Sequence, residues 1–233
     1  MFDRCANFGC LVLVASVTGS QIRLGHKEFI VSIVSKLPEE FTIRMKRLLG
    51  DEYDAFLAAY EQEGKQGLRV NTSKIRTDDF LRITPFALSG VPWIENGFFF
   101  RDGDPVTRHP HYYAGLYYVQ EPSAMTPASR LPICPGDRVL DLCAAPGGKS
   151  TELASKLGGT GILVSNDISV SRARALLKNL ELAGTPNLFV TGESPGQLYE
   201  AYGCVFDKIM VDAPCSGEGM FRKDPSLIGS WME

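Results

Sequence analysis

The stretch Val139-Leu-Asp-Leu-Cys-Ala-Ala-Pro-Gly-Gly-Lys-Ser150 decides the fold. It begins with apolar residues typical of a buried strand and leads into helix-forming residues at 150–157. Between them, the Pro-Gly-Gly sequence at 146–148 predicts a tight turn, and the glycines let a ligand approach the backbone N–H groups of the helix start. The stretch alone is compatible with an ordinary strand–turn–helix connection or with a cofactor loop.

The chain after this loop alternates between predicted strands and helices. Three further apolar runs predict strands at 161–167, 187–191 and 206–211, and helical spacing predicts a helix at 171–184. Strands that alternate with helices indicate a parallel sheet with right-handed crossovers. The fold class is therefore α/β.

Polar residues follow these strands at positions that a parallel sheet brings to one edge. Asp167 ends the second strand, 18 residues after Lys149, where an acid accepts hydrogen bonds from ribose hydroxyls. This favours an adenosine-containing ligand, whereas the missing G-x-G-x-x-G spacing argues against a dinucleotide. Asp212 and Cys215 follow the fourth strand. Many cysteines are small buried hydrophobes, but the neighbouring carboxylate and glycine-rich loop favour a functional thiol here.

Composition sets the broad class. With 233 residues, 44% hydrophobic and 22% charged, the chain is long enough for one large domain or two modest ones. Its net charge of −3 gives no global basic signal for nucleic acid, although a local basic patch is sufficient for binding. The six cysteines show no C-x-x-C pairing, so we expect no metal site and a cytoplasmic location.

Residues 1–36 differ from the rest in pattern. Their apolar run, Cys10 to Val17, is too short to span a bilayer, and Asp3 with Arg4 makes a poor signal-peptide start. We interpret 1–36 as a leader foreign to the domain, with a genuine extra strand pair as the alternative. No membrane association is expected.

The region 37–115 is expected to form a small α+β domain. Gly50 divides two predicted helices, the first with Pro38 at its start and the second running to about Glu63. We expect Thr77 to cap the short helix that begins there and Ser123 to cap the segment that follows Ser123. His109 and His111 are expected to be plain loop residues. Further strands are predicted at 68–71 and 98–100.

Three motifs carry a resemblance to a known family. Asp141–Ser150, Gln120–Met125 and Asp212–Gly217 together resemble the RNA (cytosine-5)-methyltransferases of the Nol/Nop/Sun family. The longer run 212–225, with Arg69-Val-Asn71, resembles its bacterial ribosomal-RNA branch, the RsmF-like proteins. The resemblance runs from about Leu37 to Glu233. It implies a class I methyltransferase Rossmann-like sheet at 116–233, an RNA-binding-type domain at 37–115, and an uncertain leader at 1–36.

The resemblance implies that S-adenosylmethionine is the methyl donor and that the partner is RNA, expected to be rRNA. The protein is expected to be a monomer. Asp167 would hold the ribose, and Asp212 would face both the methionine end and the target base. The implied donor-binding residues are Cys143, Ala144, Ala145, Pro146, Gly147, Gly148, Lys149, Asp167, Glu193 and Asp212. The implied catalytic residues are Cys215, Asp212 and Lys149, and the implied RNA contacts are Arg69, Arg222 and Lys223.

Cytosine C5 is too weak a nucleophile to accept a methyl group unaided, so in this family a cysteine thiolate first adds to C6. The resemblance gives Cys215 a part in product release and places the attacking cysteine in a later Thr-Cys motif, which this sequence lacks. We therefore expect a C-terminally truncated, inactive fragment, with four strands in the order 3-2-1-4 and the fourth as an exposed edge. Open alternatives are attack by Cys215 itself, an inactive RNA-binding protein, and a class I methyltransferase with a non-RNA substrate.

Overall fold

The computed structural model describes residues 33–62, 64–215, 217–222 and 224–231. Apart from a short 3-10 helix at Ile33–Lys36, the predicted leader lies outside the described residues. The chain forms two compact units, one from Met1–Lys65 with Pro214–Glu233 and the other from Gln66–Ala213.

The first unit is built on the two predicted helices. Helices α1 (Glu39–Leu49) and α2 (Tyr53–Tyr60) are joined by a 3-10 turn that begins at Gly50, so the second helix ends before the predicted residue 63. Gly50 ends α1 with a φ of 52°, a conformation that glycine adopts without a steric cost. The core of this unit packs the apolar side of α1 against aromatic side chains near the end of the chain, namely Phe41 and Met45 against Phe221 and Trp231.

The second unit begins with a four-stranded antiparallel sheet. Its strands are β1 (Gly67–Val70), β2 (Ser89–Gly90), β3 (Gly97–Phe99) and β4 (Tyr117–Val119), in the order β2-β3-β1-β4. Strand β4 pairs with β1 and so extends this sheet beyond residue 115, where the domain boundary was predicted.

Two of the predicted caps are wrong. Helix α3 (Thr77–Ile83) takes Arg76 as its N-cap, so Thr77 is the first helical residue and caps nothing. The Ser123 hydroxyl donates to the Glu121 carboxylate, and the short 3-10 helix Ser123–Met125 has no side-chain cap. Helix α5 (Thr126–Arg130) follows directly.

The histidine segment is helical, contrary to the prediction of a loop. Helix α4 spans Pro110–Tyr113, and His109 is its N-cap because the His109 Nδ1 atom accepts a hydrogen bond from the His111 backbone N–H at 3.2 Å. Proline suits this first helical position because its missing N–H would have no helical partner there.

The predicted parallel sheet and its strand order are confirmed. Strands β5 (Arg138–Asp141), β6 (Ile162–Asn166), β7 (Leu188–Thr191) and β8 (Lys208–Met210) form the order β7-β6-β5-β8, which is 3-2-1-4 along the chain. Helices α6 (Gly148–Leu157), α7 (Val170–Ala183) and α8 (Pro195–Tyr202) connect them. Helix α8 was not predicted.

Helices cover both faces of this sheet. Leu153 and Leu157 of α6 pack on Val139 and Leu163, and Leu198 of α8 packs on the opposite face. Within the described residues, no helix is both long and apolar enough to cross a membrane. The parallel strands bring the residues that follow them to one edge, where the candidate site lies.

Candidate functional site

A cavity of about 210 Å³ lies beside the loop between β5 and α6. Residues 143–146, Gly148 and Lys149 line it on one side, and residues 118–120 with Ala124 line it on the other. A Cβ atom on Gly148 would lie 3.0 Å from the Gln120 Nε2 atom. A larger residue at this position would push the Gln120 and Tyr118 side chains away from the loop.

Gly147 precedes α6 and has a φ of 109°. This left-handed conformation favours glycine and turns the chain from the loop into the helix. The cavity is thus bounded by the start of α6, the arrangement that the Pro-Gly-Gly sequence predicts.

Lys149 and Asp212 meet at the cavity although they follow different strands. The Lys149 Nζ atom lies 2.6 Å from the Asp212 Oδ2 atom, and both residues line the cavity. The Lys149 side chain is mostly covered, whereas that of Asp212 is 41% exposed. The pair therefore places one carboxylate at the open side of the cavity with a cation directly behind it.

Asp167 lies farther along the same edge, at the end of β6. It is 2% exposed, and its Oδ1 atom accepts a hydrogen bond from the Ser169 N–H at 3.0 Å. Its Oδ2 atom is buried without a hydrogen bond and lies 3.3 Å from the Arg172 Nη2 atom. A buried carboxylate oxygen with unused acceptor capacity is suited to a ligand hydroxyl.

Asn166, the residue before Asp167, was not singled out from the sequence. Its side chain is buried, and its amide bonds the Leu142 carbonyl, the Thr191 hydroxyl and both backbone groups of Glu193. Glu193 itself is exposed in the loop after β7 and is not part of the cavity lining. The only sequence signal for Asn166 is a polar residue at the last position of a buried strand.

Asp141, in the same loop motif, is fully buried at the end of β5. Burial raises the pKa of Asp141 to about 6, against the lowering effects of the Ser150 hydrogen bond and of Lys149. The Ser150 hydroxyl donates to the Asp141 Oδ2 atom at 2.7 Å. Asp141 therefore fixes the first turn of α6 to the end of β5 through this hydrogen bond.

Of the two site cysteines, Cys143 lines the cavity and is partly buried. Burial, followed by the Asp167, Asp141 and Asp212 carboxylates, raises the pKa of the Cys143 thiol, so it stays protonated near neutral pH. Cys215 is exposed and belongs to the other compact unit. Among the described residues, no group of three or more His, Cys, Asp or Glu side chains is placed to hold a metal ion.

Comparison with known families assigns both parts of the chain. Residues 37–122 match the family described as the N-terminal domain of 16S rRNA methyltransferase RsmF, and residues 128–230 match 16S rRNA methyltransferase RsmB/F. The chain belongs to the RsmB/F family. The resemblance stated from the three motifs is thereby confirmed.

Curated relatives carry the name ribosomal RNA small subunit methyltransferase F. The protein from Enterobacter sp. (strain 638) is 37% identical over 83% of this chain, and that from Shigella dysenteriae serotype 1 is 36% identical over 83%. Both alignments cover 43% of the relative, so the chain spans less than half the length of these proteins.

Solved structures agree on the fold. A methyltransferase homologue from Pyrococcus horikoshii is 32% identical, with a TM-score of 0.71 over 82% of this chain and 66% of that one. The NSun6 protein of the same organism shares the fold at 19% identity, with a TM-score of 0.66 over 77% of this chain and 71% of that one. The fold is that of class I methyltransferases, as expected from the sequence.

The site of this RsmB/F chain fits S-adenosylmethionine, the methyl donor of the family. The glycine loop leaves space beside a helix start. Asp167 ends the neighbouring strand on the same edge but does not line the cavity, and its Oδ2 atom lies 3.3 Å from the Arg172 Nη2 atom. The residues that line the cavity and can hold the donor are those of the loop, with Asp212.

The structure contradicts the prediction that Arg69 contacts RNA. Arg69 is 1% exposed, and its guanidinium donates to the Glu152 carboxylate, the Gly148 carbonyl, the Thr151 hydroxyl and the Gln120 side chain. The sequence placed Arg69 in a strand but could not show its partners, which lie 51 to 83 residues away. Arg69 instead holds the start of α6 against the antiparallel sheet.

Of the other two predicted RNA contacts, Arg222 lies in the first unit. Arg222 donates through its Nη1 atom to the carbonyls of Ala59 and Gln62, at 2.5 and 3.2 Å, at the carboxyl end of α2. Much of its hydrogen-bonding capacity is therefore used within the protein. Lys223 lies outside the described residues.

Proposed function

We propose that this chain supplies the donor-binding part of an S-adenosylmethionine-dependent RNA (cytosine-5)-methyltransferase that acts on rRNA. The observation that carries the proposal is the meeting of the glycine loop with the Lys149–Asp212 pair around one cavity. A donor loop alone is common to many methyltransferases, whereas a strand-end Asp-Ala-Pro-Cys sequence belongs to the cytosine chemistry that the family resemblance implies.

In this proposal the loop residues 143–149 bind the donor and exclude water from one side of it. Asp167 accepts hydrogen bonds from the ribose through its Oδ2 atom, which accepts no hydrogen bond from the described residues and lies 3.3 Å from the Arg172 Nη2 atom. We assign Glu193, in the loop after β7, to contact with the adenine. When bound, S-adenosylmethionine supplies the methyl group.

The target cytosine leaves its stack and enters on the exposed side of Asp212. There the Asp212 carboxyl group hydrogen-bonds the base edge, while Lys149 fixes its orientation through the 2.6 Å ion pair. A thiolate that adds to C6 makes C5 electron-rich, and C5 then takes the methyl group. A base removes the C5 proton, and the C5–C6 double bond re-forms as the thiolate leaves C6. We assign Cys215 to that last stage as the proton-transferring group.

The antiparallel sheet and helices of residues 37–115 are proposed to contact the RNA, with Arg222 and Lys223 as contact candidates. The boundary near residue 115 stays a prediction, as do the monomeric state and the cytoplasmic location. The attacking thiol is proposed to belong to the Thr-Cys motif of the family rather than to Cys215.

The donor half of the proposal is tested by calorimetric titration with S-adenosylhomocysteine, which binds without turnover. Asp167→Ala removes a hydrogen bond to a charged acceptor and should weaken binding by about 10- to 100-fold. Asp207→Ala is the matched control, because Asp207 also pairs with an arginine, Arg138, but lies before β8 at the opposite edge of the sheet. Equal affinities of wild type and Asp167→Ala would contradict the ribose assignment.

The acceptor half is tested with RNA that contains 5-fluorocytosine, which traps the C6 adduct because the fluorine cannot leave as a proton does. We expect the chain to bind this RNA with donor present and to form no covalent adduct, in wild type and in Cys215→Ser alike. An adduct that forms with wild type and disappears in Cys215→Ser would make Cys215 the nucleophile and overturn the assignment above.

A further inference from the structure

Asn166 is buried at the carboxyl end of β6, between the two segments proposed to bind the donor. Its side-chain Nδ2 atom donates to the Leu142 carbonyl and to the Glu193 carbonyl, each at 3.0 Å. Its Oδ1 atom accepts from the Thr191 hydroxyl at 2.8 Å and from the Glu193 N–H at 2.9 Å. One amide group thus uses two donor and two acceptor positions, all inside the protein.

These four bonds join three adjacent strand ends. Leu142 follows β5 and precedes Cys143 of the cavity wall, whereas Thr191 and Glu193 lie at the end of β7. The backbone of Asn166 adds a fifth contact, since its carbonyl accepts from the Ala144 N–H at 2.7 Å. Asn166 is the point through which the glycine loop and the Glu193 loop are fixed to the same strand.

The pairing with Glu193 is two-fold and resembles that of neighbouring strands. The Asn166 amide bonds both the N–H and the C=O of Glu193, so it fixes the position and the direction of that backbone segment. The Glu193 side chain is exposed, so the two backbone hydrogen bonds are the interactions of Glu193 with Asn166. We propose that Asn166 is a positioning residue that sets the distance between the glycine loop and the Glu193 loop without touching the donor.

This inference rests on the proposed donor site and adds a residue that the site needs. It predicts that loss of the Asn166 amide lowers donor affinity by more than the accompanying loss of stability explains. A structural asparagine elsewhere in the same unit must therefore behave differently.

Asn71 is the matched control. It is also buried, and its Nδ2 atom donates to the carbonyls of Gly115 and Ala183, both at 2.8 Å. Its Oδ1 atom accepts from the Ser73 N–H and the Ser155 hydroxyl, at 3.2 and 3.4 Å. It matches Asn166 in burial and in the number of bonds, but none of its partners follows a strand at the candidate site.

The experiment compares Asn166→Ala, Asn71→Ala and wild type by calorimetric titration with S-adenosylhomocysteine and by thermal unfolding of the whole chain. Asn166→Ala should raise the dissociation constant about tenfold or more, because several hydrogen bonds that place the site are lost together. Asn71→Ala should lower the melting temperature to a similar extent and leave the dissociation constant within about twofold of wild type.

Thr191→Val provides a milder second variant, since it removes only the hydroxyl that donates to the Asn166 Oδ1 atom. It should raise the dissociation constant by about threefold, which decides the question if Asn166→Ala fails to fold. Unchanged affinity in Thr191→Val, or equal affinity losses in Asn166→Ala and Asn71→Ala, would overturn the proposal. Absence of binding to the wild type would instead refute the proposed donor site itself.

Discussion

Replacement of Arg69 by methionine tests how the antiparallel sheet supports the donor loop. Methionine keeps most of the length of the side chain but removes the guanidinium, whose side-chain partner Glu152 is only 8% exposed. Burial lowers the pKa of Arg69, while the Glu152 charge and hydrogen bond raise it, so the pair is held together against a desolvation cost. Without Arg69, the Glu152 carboxylate keeps only the Asn96 amide, at 3.1 Å.

Removal of one partner from a buried ion pair costs about 3–5 kcal/mol, because the remaining charge is left without compensation. We expect Arg69→Met to lower the free energy of unfolding by this amount. The double variant Arg69→Met/Glu152→Gln should recover about half of the loss or more, since it removes the uncompensated charge. Arg82→Met is the control, because the Arg82–Asp79 pair is exposed and its loss should cost less than about 1 kcal/mol.

The assay is urea unfolding monitored by tryptophan fluorescence in a Trp231→Phe background. The chain has two tryptophans, so Trp93 then reports alone, and it lies in the same compact unit as Arg69. A loss below about 1 kcal/mol for Arg69→Met, or no recovery in the double variant, would refute the buried-pair reasoning. Unchanged stability with lost RNA binding would restore Arg69 as an RNA contact.

Two further predictions concern residues around the same sheet. Burial raises the pKa of Asp141 to about 6 in the folded protein, so its ionisation opposes folding. This cost is absent below about pH 4, grows as the pH rises, and is complete above about pH 6. The free energy of unfolding of Asp141→Asn relative to wild type should therefore rise by about 2 kcal/mol between pH 4 and pH 7 in urea titrations, and a flat difference would contradict the raised pKa. Gly115→Ala should lower the free energy of unfolding by about 2–5 kcal/mol, because φ is +66° and the new Cβ would lie 2.1 Å from the Leu182 carbonyl oxygen. Gly90→Ala is the control: its Cβ would meet open space, and it should cost under about 1 kcal/mol in the same assay.

Local sequence signals predicted the parallel sheet well. Gly50 and Gly184 end helices with positive φ, and the apolar runs before Asp167 and Asp212 form strands in the expected order. These features depend on neighbouring residues, so periodicity and glycine placement are sufficient to show them. Helix α8 was missed although Ser194 and Gln197 form a capping box at its start, because the helix is short and only Leu198 is buried.

The sequence predicted the residues that follow the strands at the candidate site, but not the residues that hold them in place. The sequence indicated that Lys149, Asp167 and Asp212 lie on one edge, since parallel strand ends share it. It could not show that Arg69 is buried against Glu152, or that Asn166 bonds Glu193, because such pairings depend on packing between distant segments. The assignment of Arg69 to RNA came from the family resemblance, and basic residues are exposed in most proteins, so no signal in the sequence showed that Arg69 is buried.

The central claim is that the cavity beside the glycine loop binds the methyl donor. Ultraviolet cross-linking of methyl-labelled S-adenosylmethionine to the whole chain, followed by tryptic digestion, tests it directly. Cleavage after Arg138 and Lys149 releases the loop as one peptide, Val139–Lys149. We predict that this peptide carries the label and that excess S-adenosylhomocysteine abolishes labelling. If the label that S-adenosylhomocysteine displaces were found only on peptides outside the cavity lining, donor binding in this cavity would be contradicted.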